Sequence, residues 1–237
     1  RTTADTLFYQ FITIRFLFNY FLNPLACLIC LITNLLIILI IRKNKKTDMK
    51  DQLYKYMSIN AYLNFFYCLI HLIDLINVCN RTRFYCSSLY GTYFAQYYKI
   101  MFVSFLGNIF KLSSNYTYLL IIINRYMLIG KKHINLIEII SETPLKLLMT
   151  TIILASIILS MSKIIEFKVN DDYDYYDYPL WVLGARTTYD STSKIMFILL
   201  FVVYDVFNFL FYSILSIILD ILTILKLKKT LNEKIKM

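Results

Sequence analysis

Ionisable side chains stand where the surrounding sequence is apolar, among them His71, Asp74, Lys111, Arg125 and Asp205. A charge in such a setting is costly and needs a partner or a neutral state. His71, Asp74 and Asp205 are the candidate partners of Lys111. One outcome is a structural ion pair. The other is a pocket floor that meets a ligand carboxylate or orients a peptide terminus. Arg125 differs from these, because it closes an apolar run in Asn124-Arg125-Tyr126 and is followed by Lys131-Lys132. Apolar residues followed at once by fixed cations mark the place where a membrane helix meets the cytoplasm. Catalytic constellations are missing. The two histidines, His71 and His133, stand at unrelated sites, and the sequence holds no His-x-x-x-His and no glycine-rich phosphate loop. The chain is therefore not expected to be an enzyme, and no cofactor or metal is expected.

The elements that must position these residues are long apolar segments. Of the 237 residues 59% are hydrophobic, and Gly (4) and Pro (3) are scarce, which disfavours turn-rich β architectures. The net charge of +10 is confined to short blocks between apolar runs. That pattern indicates membrane topology and argues against nucleic-acid binding. A crossing needs about 20 apolar residues. Five segments qualify, at about 17–41, 54–78, 93–129, 145–167 and 194–227, giving an all-α membrane protein with five transmembrane helices. The linkers after the first, third and fifth are basic (Arg42, Lys43, Lys131, Lys228), whereas the linker after the fourth is acidic (Asp171, Asp172, Asp174, Asp177). The N-terminus is then outside and the C-terminus in the cytoplasm.

Asn80-Arg81-Thr82 is a glycosylation sequon in the loop after the second segment. Cys79 and Cys86 share that loop and are free to pair in an oxidising compartment. Cys27, Cys30 and Cys68 lie within segments and are expected to be small buried apolar residues. The outer loop alternates acid and tyrosine (Asp171 to Tyr178), a pattern able to attract a basic peptide by steering and cation–π contact.

Thr33-Asn34 in the first segment, Asn60-Ala61-Tyr62-Leu63-Asn64 in the second and Asn124-Arg125-Tyr126 closing the third carry a resemblance. Together they resemble the rhodopsin-like (class A) G-protein-coupled receptors, in divergent form. The chain would correspond to a partial seven-transmembrane receptor domain over 1–237, a fragment covering the first five of seven helices and ending at the third inner loop. The resemblance implies transduction of an extracellular ligand, here a peptide, to a cytoplasmic heterotrimeric G protein from the plasma membrane. By the same resemblance, Asn124, Arg125 and Tyr126 form the coupling switch, and Tyr212 approaches Arg125 from the fifth helix. Asn34, Asn64 and Ser114 would form one inner hydrogen-bond cluster. Gly107 stands where amine receptors carry Asp, which disfavours a monoamine and leaves His71, Asp74, Gly107, Lys111 and Asp205 as pocket candidates.

The departures are specific. Asn124 replaces the acidic neighbour of the arginine, and Asn64 replaces the Asp of the second helix. No cysteine lies in 168–193 to bridge the second outer loop to the third helix. A transporter or channel subunit that uses Lys111, Asp74 and Asp205 along a path is the alternative.

Overall fold

The computed structural model describes residues 21–44, 52–79, 87–128, 143–170, 179–181 and 206–235. The chain is mostly helical. Helix α1 is Asn23–Asn44 and α2 is Gln52–Ile73, extended by a 3-10 turn over Asp74–Asn77. The third rod starts as α3 (Tyr93–Tyr97), continues through a π-helical stretch (Tyr98–Leu106) and ends as α4 (Gly107–Leu128). Helix α5 is Leu145–Ser160 with a 3-10 turn over Met161–Lys163. A π segment, Val206–Phe211, leads into α6 (Tyr212–Ile235). The one ladder among the described residues pairs β1 (Phe167–Lys168) antiparallel with β2 (Leu180–Trp181).

Three of these helices are long and apolar enough to cross a membrane: Asn23–Asn44, Gln52–Asn77 and Leu145–Lys163. Five were expected. The third rod falls short on composition because α4 carries Asn108, Lys111, Ser113, Ser114 and Asn115 among its apolar residues. The last helix is diluted by Asp220, Lys226 and Lys228, and residues 194–205 of the expected fifth span lie outside the described residues.

Direction and register follow from contacts. Arg42 lies over the Tyr62 ring at 5.7 Å, and Cys30 is bonded to Cys68, so α1 and α2 run antiparallel. Tyr56 of α2 packs on Leu120 and Ile121 of α4, with Leu145, Leu148 and Ile152 of α5 against the same cluster. Higher up, Ser114 meets Asn64, and Ser113 meets Ser156. Helix α4 is therefore antiparallel to both α2 and α5. It is parallel to α6, since Asn115 meets Asn208 and Tyr126 meets Lys226 in the same order. The result is a serpentine bundle with α4 at its centre. On α4, Leu112, Ser113, Thr117 and Ile122 are almost wholly enclosed, whereas α1 buries only Cys27, Asn34 and Ile38. The remaining faces of α1, α5 and α6 present leucine and isoleucine outward. Water would penalise such a surface, and hydrocarbon does not.

At the end of the bundle bearing Asp74, a side-chain clamp closes the fold. Thr92 caps α3, accepting from the Ala95 N–H at 3.3 Å, after a turn in which Gly91 takes φ 79°. Only glycine adopts that conformation without steric cost. One turn on, the Gln96 amide donates to the carbonyls of Gly91 and Asn170, both at 3.0 Å, and accepts from the Asn170 N–H at 2.8 Å. A primary amide pairs with backbone as a second strand would. This tether joins the third rod to the segment after α5, the same two elements for which the sequence has no cysteine pair. Gln96 is 1% exposed. Replacing it with leucine leaves the Asn170 peptide unsatisfied at a cost of about 1–3 kcal/mol. Hydrogen exchange should show the Asn170 amide losing protection in Gln96→Leu, while amides of α5 hold theirs; equal protection in both proteins refutes the clamp.

Candidate functional site

The centre of the bundle is built by three consecutive residues of α4. Successive side chains on an α-helix are about 100° apart, so a polar triplet inside a packed helix faces three directions. Ser113 donates across 3.0 Å to Ser156 of α5, which in turn donates to the Ile152 carbonyl at 2.8 Å. The Ser114 hydroxyl lies 2.7 Å from the side-chain oxygens of both Asn60 and Asn64 of α2. It carries one proton, so it donates to one asparagine and accepts from the amide of the other. The Asn115 amide donates at 3.1 Å to Asn208, in the π segment ahead of α6. Each of the three neighbours is thus held through its own residue. Thr117, one turn below Ser113, returns its hydroxyl to the Ser113 carbonyl at 2.6 Å, which keeps that face closed.

Asn34 stands apart from this hub. Its amide stays on its own helix, donating to the Cys30 carbonyl at 2.8 Å and lying 3.2 Å from Cys30 Sγ. Cys30 is itself disulfide-bonded to Cys68, with 6.5 Å between Cα atoms. The expectation that these cysteines are merely small apolar residues therefore fails for two of them. Cys27 is free and buried. Cys79 is disulfide-bonded, while Cys86 and the sequon residue Asn80 lie outside the described residues.

At the far end of α4, Arg125 is exposed, and among the described residues it makes no hydrogen bond or ion pair. Asn124 beside it makes none either. Tyr126 is gripped by Lys226 of α6, whose ammonium donates to the Tyr126 carbonyl at 3.0 Å and lies 4.0 Å from the ring centroid. A cation on the last carbonyls of a helix complements the negative end of its dipole. The residue of the last helix that meets Asn124-Arg125-Tyr126 is thus Lys226. Tyr212 lies higher, in electrostatic reach of Tyr118 and Asp220.

At the Gln96 end the ionisable residues gather. The His71 ring lies 4.3 Å from that of Tyr67, and both Lys111 and Lys99 act on it electrostatically. Lys99 acts also on Asp74, whose carboxylate accepts from Asn77 at 2.7 Å. Gly107 faces this group: a Cβ there would stand 3.4 Å from His71 Nε2, an ordinary contact, and 3.3 Å from the Phe102 carbonyl of its own rod. Lys99 joins the group through the π stretch, and Tyr98 of the same stretch donates its hydroxyl to the Ile70 carbonyl at 3.0 Å. Asp205 and the acidic tyrosine-rich loop lie outside the described residues. No group of three metal-ligating side chains occurs among the described residues.

Sequence reasoning assigned no bonding role to Asn60, Ser113, Asn115, Ser156, Asn208, Gln96 and Lys226. A signal existed for the triplet, since three adjacent polar residues inside an apolar run face three directions whatever the neighbours are. For Lys226 and Gln96 the sequence carries no comparable signal. Comparison of the chain with family models, curated proteins and solved structures returns no match.

Proposed function

We propose that the chain is a multi-pass membrane receptor of the rhodopsin-like kind. In this reading five helices cross the membrane, with the N-terminus outside and the Arg125 end in the cytoplasm. A ligand, taken to be a peptide, is received at the His71 and Lys111 end, and a heterotrimeric G protein is engaged at Arg125. The observation that carries the reading is the polar triplet, in which adjacent residues of one central helix bond three different helices. Such a helix cannot turn or slide without exchanging bonds with all its neighbours, which is the physical requirement for linking one end of a bundle to the other. Hydrogen bonds of this kind also serve as plain interhelical glue. The exposed Arg125, at the end of that same helix and without a partner among the described residues, favours the switching role. The alternation of helix direction fits the charge alternation of the linkers.

Guanine-nucleotide exchange in membranes expressing the gene product tests the coupling role. Arg125→Ala is expected to cut ligand-driven exchange roughly thirtyfold or more, the usual scale for truncating one side of a charged contact. Undiminished exchange in the variant removes Arg125 from the mechanism. The ionisable set of His71, Asp74, Lys99 and Lys111 supports a second reading, a transporter or channel subunit. Solute flux into proteoliposomes that vanishes in Lys111→Met, with no nucleotide exchange in either protein, would favour it.

A further inference from the structure

On three helices, an outward column of apolar side chains ends in an exposed lysine, and all three lysines stand at the Arg125 end. On α1 the column is Ile32, Leu36 and Leu39, each more than 45% exposed, and it leads to Lys43 four residues on. On α6 the same spacing recurs as Ile217, Ile221 and Ile224, each more than 50% exposed, leading to Lys228. On α5, which runs the other way, Ile157, Ile153 and Thr150 lead back to Lys146 at the same spacing, Ile153 and Thr150 exposed and Ile157 partly so. Residues at i, i+4, i+7 and i+11 share one face of a helix. The contacts already described place the lysines together. Lys146 adjoins Leu145, which packs on the Tyr56, Leu120 and Ile121 cluster. Lys228 follows Lys226, which holds Tyr126. Lys43 follows Arg42, which lies over Tyr62.

None of the three lysines forms an ion pair among the described residues. Of the carboxylates whose side chains are described, Asp74 and Glu166 lie at the opposite end, and Asp220 alone lies in this half of the bundle. The surface thus offers fixed positive charge directly above a strip of hydrocarbon, repeated around the bundle. A soluble acidic protein would satisfy the charge and leave the strips bare. A free phosphate would do the same.

We propose that these columns are seats for anionic phospholipids, with acyl chains along the isoleucine and leucine strips and the headgroup phosphate at Lys43, Lys146 and Lys228. The proposal rests on membrane insertion and not on the receptor reading. A lysine near an anionic surface adds about a fivefold gain in affinity. Phosphatidylglycerol should therefore remain bound in preference to phosphatidylcholine after the two lipids compete for the seats.

The experiment purifies the full chain from an equimolar mixture of phosphatidylcholine and phosphatidylglycerol and counts retained lipids by native mass spectrometry. The wild-type chain should keep phosphatidylglycerol. Each Lys→Gln change at 43, 146 or 228 should lower that preference about fivefold at its own seat and leave the other two, and the triple change should lower it about fivefold at all three. The triple Lys→Arg variant should restore it. Circular dichroism on each variant separates lipid loss from unfolding, and the three single variants carry the test if the triple does not fold. Equal retention of both lipids by the wild-type chain overturns the proposal. So does an unchanged preference in the glutamine variants, or displacement of the lipid by glycerol phosphate or by an acidic soluble peptide.

Discussion

Replacing Cys68 with serine should lower the stability of the bundle by about 4 kcal/mol, the chain-entropy value for a bridge closing a loop of this length. The bond spans a sequence separation of 38 and ties α1 to α2, the one element among the described residues with which α1 is in more than marginal contact. Helix α1 buries only Cys27, Asn34 and Ile38, so its remaining attachment is a narrow face and the Arg42 contact with Tyr62. Unfolding in detergent, followed by circular dichroism as denaturant is added, measures the effect. Cys30→Ser should match Cys68→Ser, and the double variant should be no worse than either, because all three remove one bond. Cys27→Ser should cost less than about 1.5 kcal/mol, since it alters one small free side chain. Reductant alone is a poorer test, because Cys79 is also disulfide-bonded. Identical midpoints for wild-type and Cys68→Ser protein would show that the bridge contributes nothing.

Ser114→Leu carries the second large effect. The hydroxyl is held between Asn60 and Asn64, and the residue is 5% exposed. Leucine removes the bond, leaves both asparagine side chains short of a partner and forces extra volume between α2 and α4. Overpacking and an unsatisfied polar group each cost about 1–3 kcal/mol, so a total near 3 kcal/mol is expected. Ser114→Ala removes the bond without adding volume, so it keeps only the unsatisfied-polar part of that cost, about 1–2 kcal/mol. The contrast between the two is what matters. Thermal melts that place leucine and alanine at the same midpoint would mean that α2 and α4 are not packed tightly at this point. Asn115→Leu should loosen α6 and leave α2 in place, because its bond goes to Asn208.

The cysteine bridge was within reach of the sequence. Cys30 is four residues before Asn34, and Cys68 is four residues after Asn64. If two antiparallel helices bring those asparagines to one level, both cysteines move one turn toward the same end. The premise that the asparagines themselves touch misleads, however. Asn34 spends its amide on Cys30 one turn back, a bond available within its own helix at no cost in tertiary geometry. Asn60, which the resemblance gives no bonding role, takes a place at Ser114 because a four-residue step keeps it and Asn64 on one face of α2. Tyr212 illustrates the limit on reading a position without an anchor. The π segment Val206–Phe211 shifts the phase of the helix that follows, so counting along an ideal helix does not give the face on which Tyr212 or Lys226 emerges.

The amino-acid sequence alone determined that the chain is helical and built for a membrane, because apolar runs of about 20 residues bounded by lysine and arginine leave the backbone few other ways to satisfy its hydrogen bonds. It also marked α4 as the helix with most polar residues to place. Which helix each of those residues would meet was decided by packing. Ser113, Ser114 and Asn115 are equivalent in sequence terms, and only the positions of α5, α2 and α6 around them give each its partner. Tertiary structure likewise joined Gln96 to Asn170 and Lys226 to Tyr126, pairs 74 and 100 residues apart. Local propensity cannot encode a contact at that separation, since each partner is an ordinary polar residue until the chain folds back and brings the other within 3.0 Å.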